Sequence, residues 1–142
     1  MKLTKDQIQD IAESLEIGMK VYINRENLEY RTVLDWDDMY SDLDIWDNEI
    51  EKIETEWNDY VVLEKLESDE SFHIMENFID EVDDENLRDN LVKIINGKTP
   101  FANFKAEVEL SAYRQQWFNF RTQKFIEHVE AMLSIEDIEY EP

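Results

Sequence analysis

The chain has no cysteine among its 142 residues, and only two glycines, two prolines and two histidines. Without cysteine there are no disulfides, thiolate zinc sites or cysteine nucleophiles, and the composition suits a reducing compartment. With glycine this scarce, no glycine-rich phosphate cradle, flexible linker or Gly-x-Ser-x-Gly nucleophile elbow can be built. Gly97-Lys98-Thr99 has the ending of a phosphate-binding loop, but Val92 stands where the earlier glycine belongs and Pro100 follows directly. No apolar run approaches the ~20 residues needed to span a bilayer. The opening Met1-Lys2-Leu3-Thr4-Lys5-Asp6 has no apolar core of a signal peptide, so the expected location is the cytoplasm.

Basic residues are scarce too: 14 lysines and arginines face 36 aspartates and glutamates, for a net charge of −22. The distribution matters more than the total. Residues 26–85 hold 23 acidic and three basic side chains, whereas residues 86–133 hold five acidic and seven basic ones. Such a field repels nucleic acid and anionic membranes and attracts basic partners. Hydrophobic residues make up 42% of the chain and aromatics 12%, enough for a real core. At this length folding removes roughly 68–70% of the unfolded chain's surface from water. One domain is expected over 1–142. Residues 1–66 would carry a helix, a hairpin, an acidic helix and a third strand, 67–133 a helical half, and 134–142 a frayed acidic tail.

Thr4-Lys5-Asp6-Gln7 reads as a capping box, followed by Ile8, Ile11, Ala12 and Leu15 at helical spacing and by Gly18 as a stop. Residues 19–24 and 28–34 alternate and are rich in β-branched and aromatic side chains, which predicts a hairpin turning through Arg25-Glu26-Asn27. Residues 35–41 read as an acidic loop ending at Ser41 as an N-cap. Leu43, Trp46, Ile50, Ile53 and Trp57 then define an acidic helix reaching about residue 58. Residues 60–66 predict a third strand, which makes the small sheet credible.

Beyond Ser68 the pattern is helical. The stripes are Phe72, Met75, Phe78, Ile79 and Val82, then Leu87, Leu91, Ile94 and Ile95 with Asp83 or Asp84 as cap and Gly97 as stop. Pro100 suits the first turn of a short helix carrying Phe101, Phe104 and Val108. A last helix runs from about Ala112 to Leu133. The expected fold is α+β and mainly helical, a small antiparallel sheet packed against about five helices.

Catalytic groups are few. His73 and His128 are the only imidazoles, and nothing in the sequence brings them together. Glu70-Ser71-Phe72-His73 has the Glu-x-x-His spacing of di-iron bundles, but such sites need a second copy and Phe125 stands where its glutamate would be. Asp42-x-Asp44-x-x-Asp47-x-Glu49 has the charge for a hard cation without the alternating ligands and glycine of a calcium loop. No metal and no cofactor is expected.

Phe72-His73-Ile74-Met75-Glu76-Asn77-Phe78-Ile79, Leu87-Arg88-x-x-Leu91, Gly97-x-x-Pro100-Phe101-x-x-Phe104-Lys105 and Trp117-x-x-Phe120 together resemble the bacterial uncharacterised protein family 0158. Residues 19–34 resemble that family's N-terminal hairpin, with Arg25-Glu26-Asn27 where the family tends to carry a glycine. The resemblance implies a bacterial protein and no particular activity. Physically, Gly97 and Pro100 set a tight corner, and Phe101, Phe104, Trp117 and Phe120 would pin it to the last helix.

Three functions from different classes fit. The first is a non-catalytic protein-interaction or regulatory module that engages a basic partner through Asp35, Asp37, Asp38, Asp42, Asp44, Asp47, Glu49, Glu51 and Glu54. The second is single-stranded nucleic-acid binding by Phe101, Phe104, Lys105, Arg114, Trp117, Phe120, Arg121 and Lys124, by stacking and phosphate neutralisation. The third is a metal-dependent enzyme using the aspartate clusters. The charge distribution favours the first.

Overall fold

In a computed structural model, which describes residues 2–34 and 51–141, Thr4 opens the first helix as its spacing predicts. Its hydroxyl accepts from Gln7 N–H at 3.1 Å while the Gln7 side chain accepts from Thr4 N–H at 2.8 Å. Helix α1 (Lys5–Glu16) buries Ile8, Ile11, Ala12 and Leu15, and Gly18 follows at φ +89, the left-handed conformation that ends a helix. Strands β1 (Met19–Asn24), β2 (Tyr30–Leu34) and β3 (Tyr60–Leu63) form an antiparallel sheet in the order β2-β1-β3. Between β2 and β3, residues 51–56 are helical and are called α2. Four further helices follow: α3 (Ser68–Ile79), α4 (Glu85–Ile95), α5 (Pro100–Glu109) and α6 (Arg114–Ile135). The protein is thus α+β and mostly helical, as expected.

The contacts divide the chain into two compact units, one of residues 1–65 with 125–142 and one of residues 66–124. In the first, β1 is the central strand and α1 packs on it. Val21, Ile23, Val61 and Leu63 are buried on one sheet face. On the other face Tyr22 and Val33 bury Ile53 and Trp57 at the α2 end, with Tyr60 and Val62 half-buried beside them.

The hairpin differs from expectation in one respect. The second strand starts at Tyr30, not residue 28, because Leu28 takes φ +61. The asparagines hold this turn without adopting the left-handed conformation themselves. Asn24 Oδ1 accepts from Glu26 N–H at 2.8 Å, and Asn27 Oδ1 accepts from Glu29 N–H at 2.9 Å.

The C-terminal tail also departs from the reading of a frayed end. Asp137 adopts φ +58, Ile138 N–H donates to Leu133 carbonyl at 2.9 Å and Asp137 N–H to Ser134 carbonyl at 3.2 Å. This is a Schellman stop with aspartate in glycine's usual place, and Ile138 is buried. Tyr140 then pairs in parallel with Leu3. Arg25 fastens the same region. It donates to the Glu136 carbonyl at 2.7 Å, pairs with the Glu136 carboxylate, and reaches Asp59 at 3.3 Å.

In the second unit the buried side chains include Leu66, Ile74, Met75, Phe78, Ile79, Val82, Leu91, Ile95, Phe104, Val108 and Trp117. Asp84 caps α4 by accepting from Asn86 and Leu87 N–H. Gly97, expected to be the stop, has no left-handed conformation; Thr99 carries it instead, at φ +45. Asn103 holds that corner by donating to Lys98 carbonyl at 3.0 Å and to Thr99 Oγ1 at 3.1 Å. Pro100 takes the first position of α5, where its missing N–H costs nothing.

Candidate acidic interaction surface

Segment α2 is built as an amphipathic turn and a half. Ile53 and Trp57 are four apart and point to the sheet, which leaves Glu51, Glu54 and Glu56 exposed on the other side. The Arg31 guanidinium lies 5.8 Å from the Trp57 ring and helps hold that edge down. Tyr22, beneath α2, pairs with Tyr60 at 5.7 Å. Burial pushes the Tyr22 hydroxyl above its ordinary pKa; nearby Lys20 opposes this, and the Glu54, Tyr60 and Glu64 charges add to the rise. Glu51 and Glu54 are therefore carried outward by a helix anchored on the sheet. Asp35, Asp37, Asp38, Asp42, Asp44, Asp47 and Glu49 lie outside the described residues, as do Ser41, Leu43, Trp46 and Ile50 of the expected loop and helix. Glu56 is a further exposed carboxylate of this face, and its place outside the Ile53–Trp57 stripe makes it legible in the sequence.

In the second unit Glu67, Asp69, Glu70, Asp80, Glu81, Asp83 and Glu85 are all exposed. Asp69 and Glu70 occupy the first turn of α3, where the helix dipole favours a negative charge. Glu70 and His73 form no ligand pair: His73 Nδ1 lies 3.0 Å from Glu76 Oε1 instead. His128 Nε2 lies 3.3 Å from the Glu64 carbonyl. Among the described residues no three histidine, aspartate or glutamate side chains converge as a cation would require.

The aromatic signature centres on Phe78. Phe78 meets Trp117 at 5.1 Å, Phe120 at 5.4 Å and Phe104 at 6.4 Å, and Phe104 meets Trp117 at 5.0 Å. Three of these contacts are edge-on and the one with Phe120 is tilted, so ring edges meet ring faces. Phe104 and Trp117 are buried, so neither offers a face to a base. Phe101 is 43% exposed and touches Phe72 edge-on at 6.5 Å. Gly97 and Lys105 are exposed. Arg114 lies over Phe118 at 5.2 Å and Lys124 over Phe120 at 5.3 Å.

Beside the hairpin turn lies an open groove of about 440 Å³, lined by Gln7, Asn27, Leu28, Glu29, Tyr30 and Arg31. At this edge the Tyr30 hydroxyl donates to Asp10 Oδ2 at 2.8 Å. Burial, then the bond to Asp10 and its charge, push the Tyr30 pKa up to about 12. Sequence reasoning missed this feature, because the groove depends on the turn geometry at Leu28.

These features define a small, strongly acidic α+β protein whose helical half is built round an aromatic cluster and which has no helix, among the described residues, long and apolar enough to cross a membrane. The chain belongs to the uncharacterised protein family UPF0158, whose model matches residues 3–141. Searches of the curated proteins and of the solved structures found no match.

Proposed function

We propose that the protein is a non-catalytic interaction module that engages a basic protein partner through its acidic surface. One observation carries this reading: 23 acidic and three basic side chains fall within residues 26–85, and the described part of the acidic helix turns Glu51, Glu54 and Glu56 outward. Fixing carboxylates on an anchored helix lowers the entropy lost when a partner binds. Their common sign speeds encounter with a basic surface and excludes nucleic acid. In the same reading Gly97, Pro100, Phe101, Phe104, Lys105, Trp117 and Phe120 serve the architecture of the helical half, and the site of action is the cytoplasm.

The test is capture from native lysate on the immobilised protein beside its Glu51→Lys/Glu54→Lys/Glu56→Lys variant. The expected result is a basic protein retained by the parent chain and lost by the variant while the variant's melt is unchanged. Equal retention by both would exclude the α2 surface.

A further inference from the structure

Among the described residues β2 is an edge strand of the sheet. Asn24 N–H donates to the Glu29 carbonyl at 2.7 Å, and the register continues through Tyr22–Arg31 and Lys20–Val33. In an antiparallel pair, hydrogen-bonded and non-bonded positions alternate. The N–H and C=O groups of Tyr30 and Thr32 therefore point away from β1. Among the described residues β2 pairs with β1 alone. An edge of this kind is a template for a further strand, and natural proteins usually blunt it with proline, lysine or a bulge. Residues 30–34 contain no proline or lysine, and their pairing with β1 is in continuous register.

The 440 Å³ groove adjoins the start of this strand and includes Gln7 of α1. Carboxylates border it: Glu29 lines it, and Asp10 holds the Tyr30 hydroxyl beside it. A second copy of the chain would bring a net charge of −22 against −22. A lysine-bearing strand has the complementary charge.

We infer that the outer edge of β2, with its groove beside α1, receives an extended basic segment as a fourth strand. The inference rests on the acidic-module reading and specifies how the basic partner binds. Main-chain bonds to Tyr30 and Thr32 supply affinity, and alternate lysines facing Asp10 supply selectivity. The opposite side chains of the added strand lie on the face of Arg31, so they are apolar rather than basic.

Two peptides of equal charge test this, Lys-Val-Lys-Val-Lys-Val-Lys and Lys-Pro-Lys-Pro-Lys-Pro-Lys. The second keeps the lysines, but its prolines hold φ near −65° and favour a threefold polyproline II helix, which cannot keep alternate lysines on one face of a paired strand. Calorimetry at low salt gives the affinities, and amide exchange on the full chain gives the site. The valine peptide is expected to bind about tenfold or more tighter, the worth of one or two net hydrogen bonds. It should slow exchange at Tyr30 and Thr32. Thr32→Pro, at a position whose N–H faces outward, should lose that advantage while keeping the parent's melt. Protection at Tyr30 and Thr32 in the unaltered chain decides the matter even if this variant fails to fold. Equal binding of both peptides with no protection there would overturn the edge inference and leave the acidic reading standing. Binding of neither peptide would overturn both.

Discussion

Two glycines with similar sequence context carry different physical loads. Gly18 sits at φ +89 with open space where a Cβ would go, so an alanine there meets strain and no clash. Gly18→Ala is expected to cost about 1–2 kcal/mol of stability in urea denaturation. Gly97 lacks that conformation, and its added Cβ would meet the Lys93 and Ile94 carbonyls at 3.4 and 3.5 Å. Gly97→Ala is expected to fall within about 1 kcal/mol of neutral, since those contacts are of ordinary van der Waals length and the substitution reduces the freedom of the unfolded chain. Both glycines follow a helix end and its cap, α1 stopping at Glu16 and α4 at Ile95, but only Gly18 takes the left-handed conformation. Sequence spacing locates a corner but does not say which residue bears its left-handed turn. Thr99 bears it here, as Leu28 does in the hairpin and Asp137 at the end of α6. The asparagine bonds that hold the first two corners are local, spanning two to five residues, but the residue types alone do not say which neighbour turns left-handed.

Tyr30 also makes a prediction at the residue scale. Its pKa is about 12 in the folded chain against an ordinary 10, so the folded state holds the proton more tightly. Its contribution is complete below pH 10 and is lost as pH rises toward about 12. The stability advantage of the parent over Tyr30→Phe should accordingly shrink across that window in parallel urea titrations. A constant difference would contradict the role of the Asp10 bond.

At the scale of elements, periodicity was informative for most segments with one buried face. The α1 box and stripe, the three strands, the Asp84 cap and Pro100 at the start of α5 all follow from local chemistry. The buried face of α3 was less legible. Phe72 is only half-buried and Ile74 is buried in its place, because the helix turns Phe78 toward Trp117, Phe120 and Phe104. Those partners come from distant segments and leave no local trace. The acidic character of α2 was legible from the spacing of Ile53 and Trp57, whereas the groove and the outward-facing groups of β2 required the observed register. The aromatic cluster should dominate stability in the second unit. Phe104→Ala is expected to cost about 3–5 kcal/mol, as for other buried phenylalanines. Phe101→Ala, from a 43% exposed position, should cost much less, and urea midpoints measured side by side would show the contrast.

For the whole molecule, charge is the governing term. A net charge of −22 on 142 residues opposes compaction by self-repulsion, and part-exposed ion pairs such as Arg25 with Glu136 and Asp59 each offset little of it. The thermal midpoint should rise as sodium chloride increases from about 10 mM to about 0.5 M, because screening relieves repulsion more than it weakens those pairs. Screening acts in the opposite sense on a basic partner, whose attraction to the same field weakens with salt. The measurement that tests the account most directly is the affinity of the captured basic partner across that salt range, for the parent chain and the Glu51→Lys/Glu54→Lys/Glu56→Lys variant. The account predicts affinity that falls steeply with salt and is already weak in the variant. Affinity independent of salt and indifferent to the three charges would contradict it.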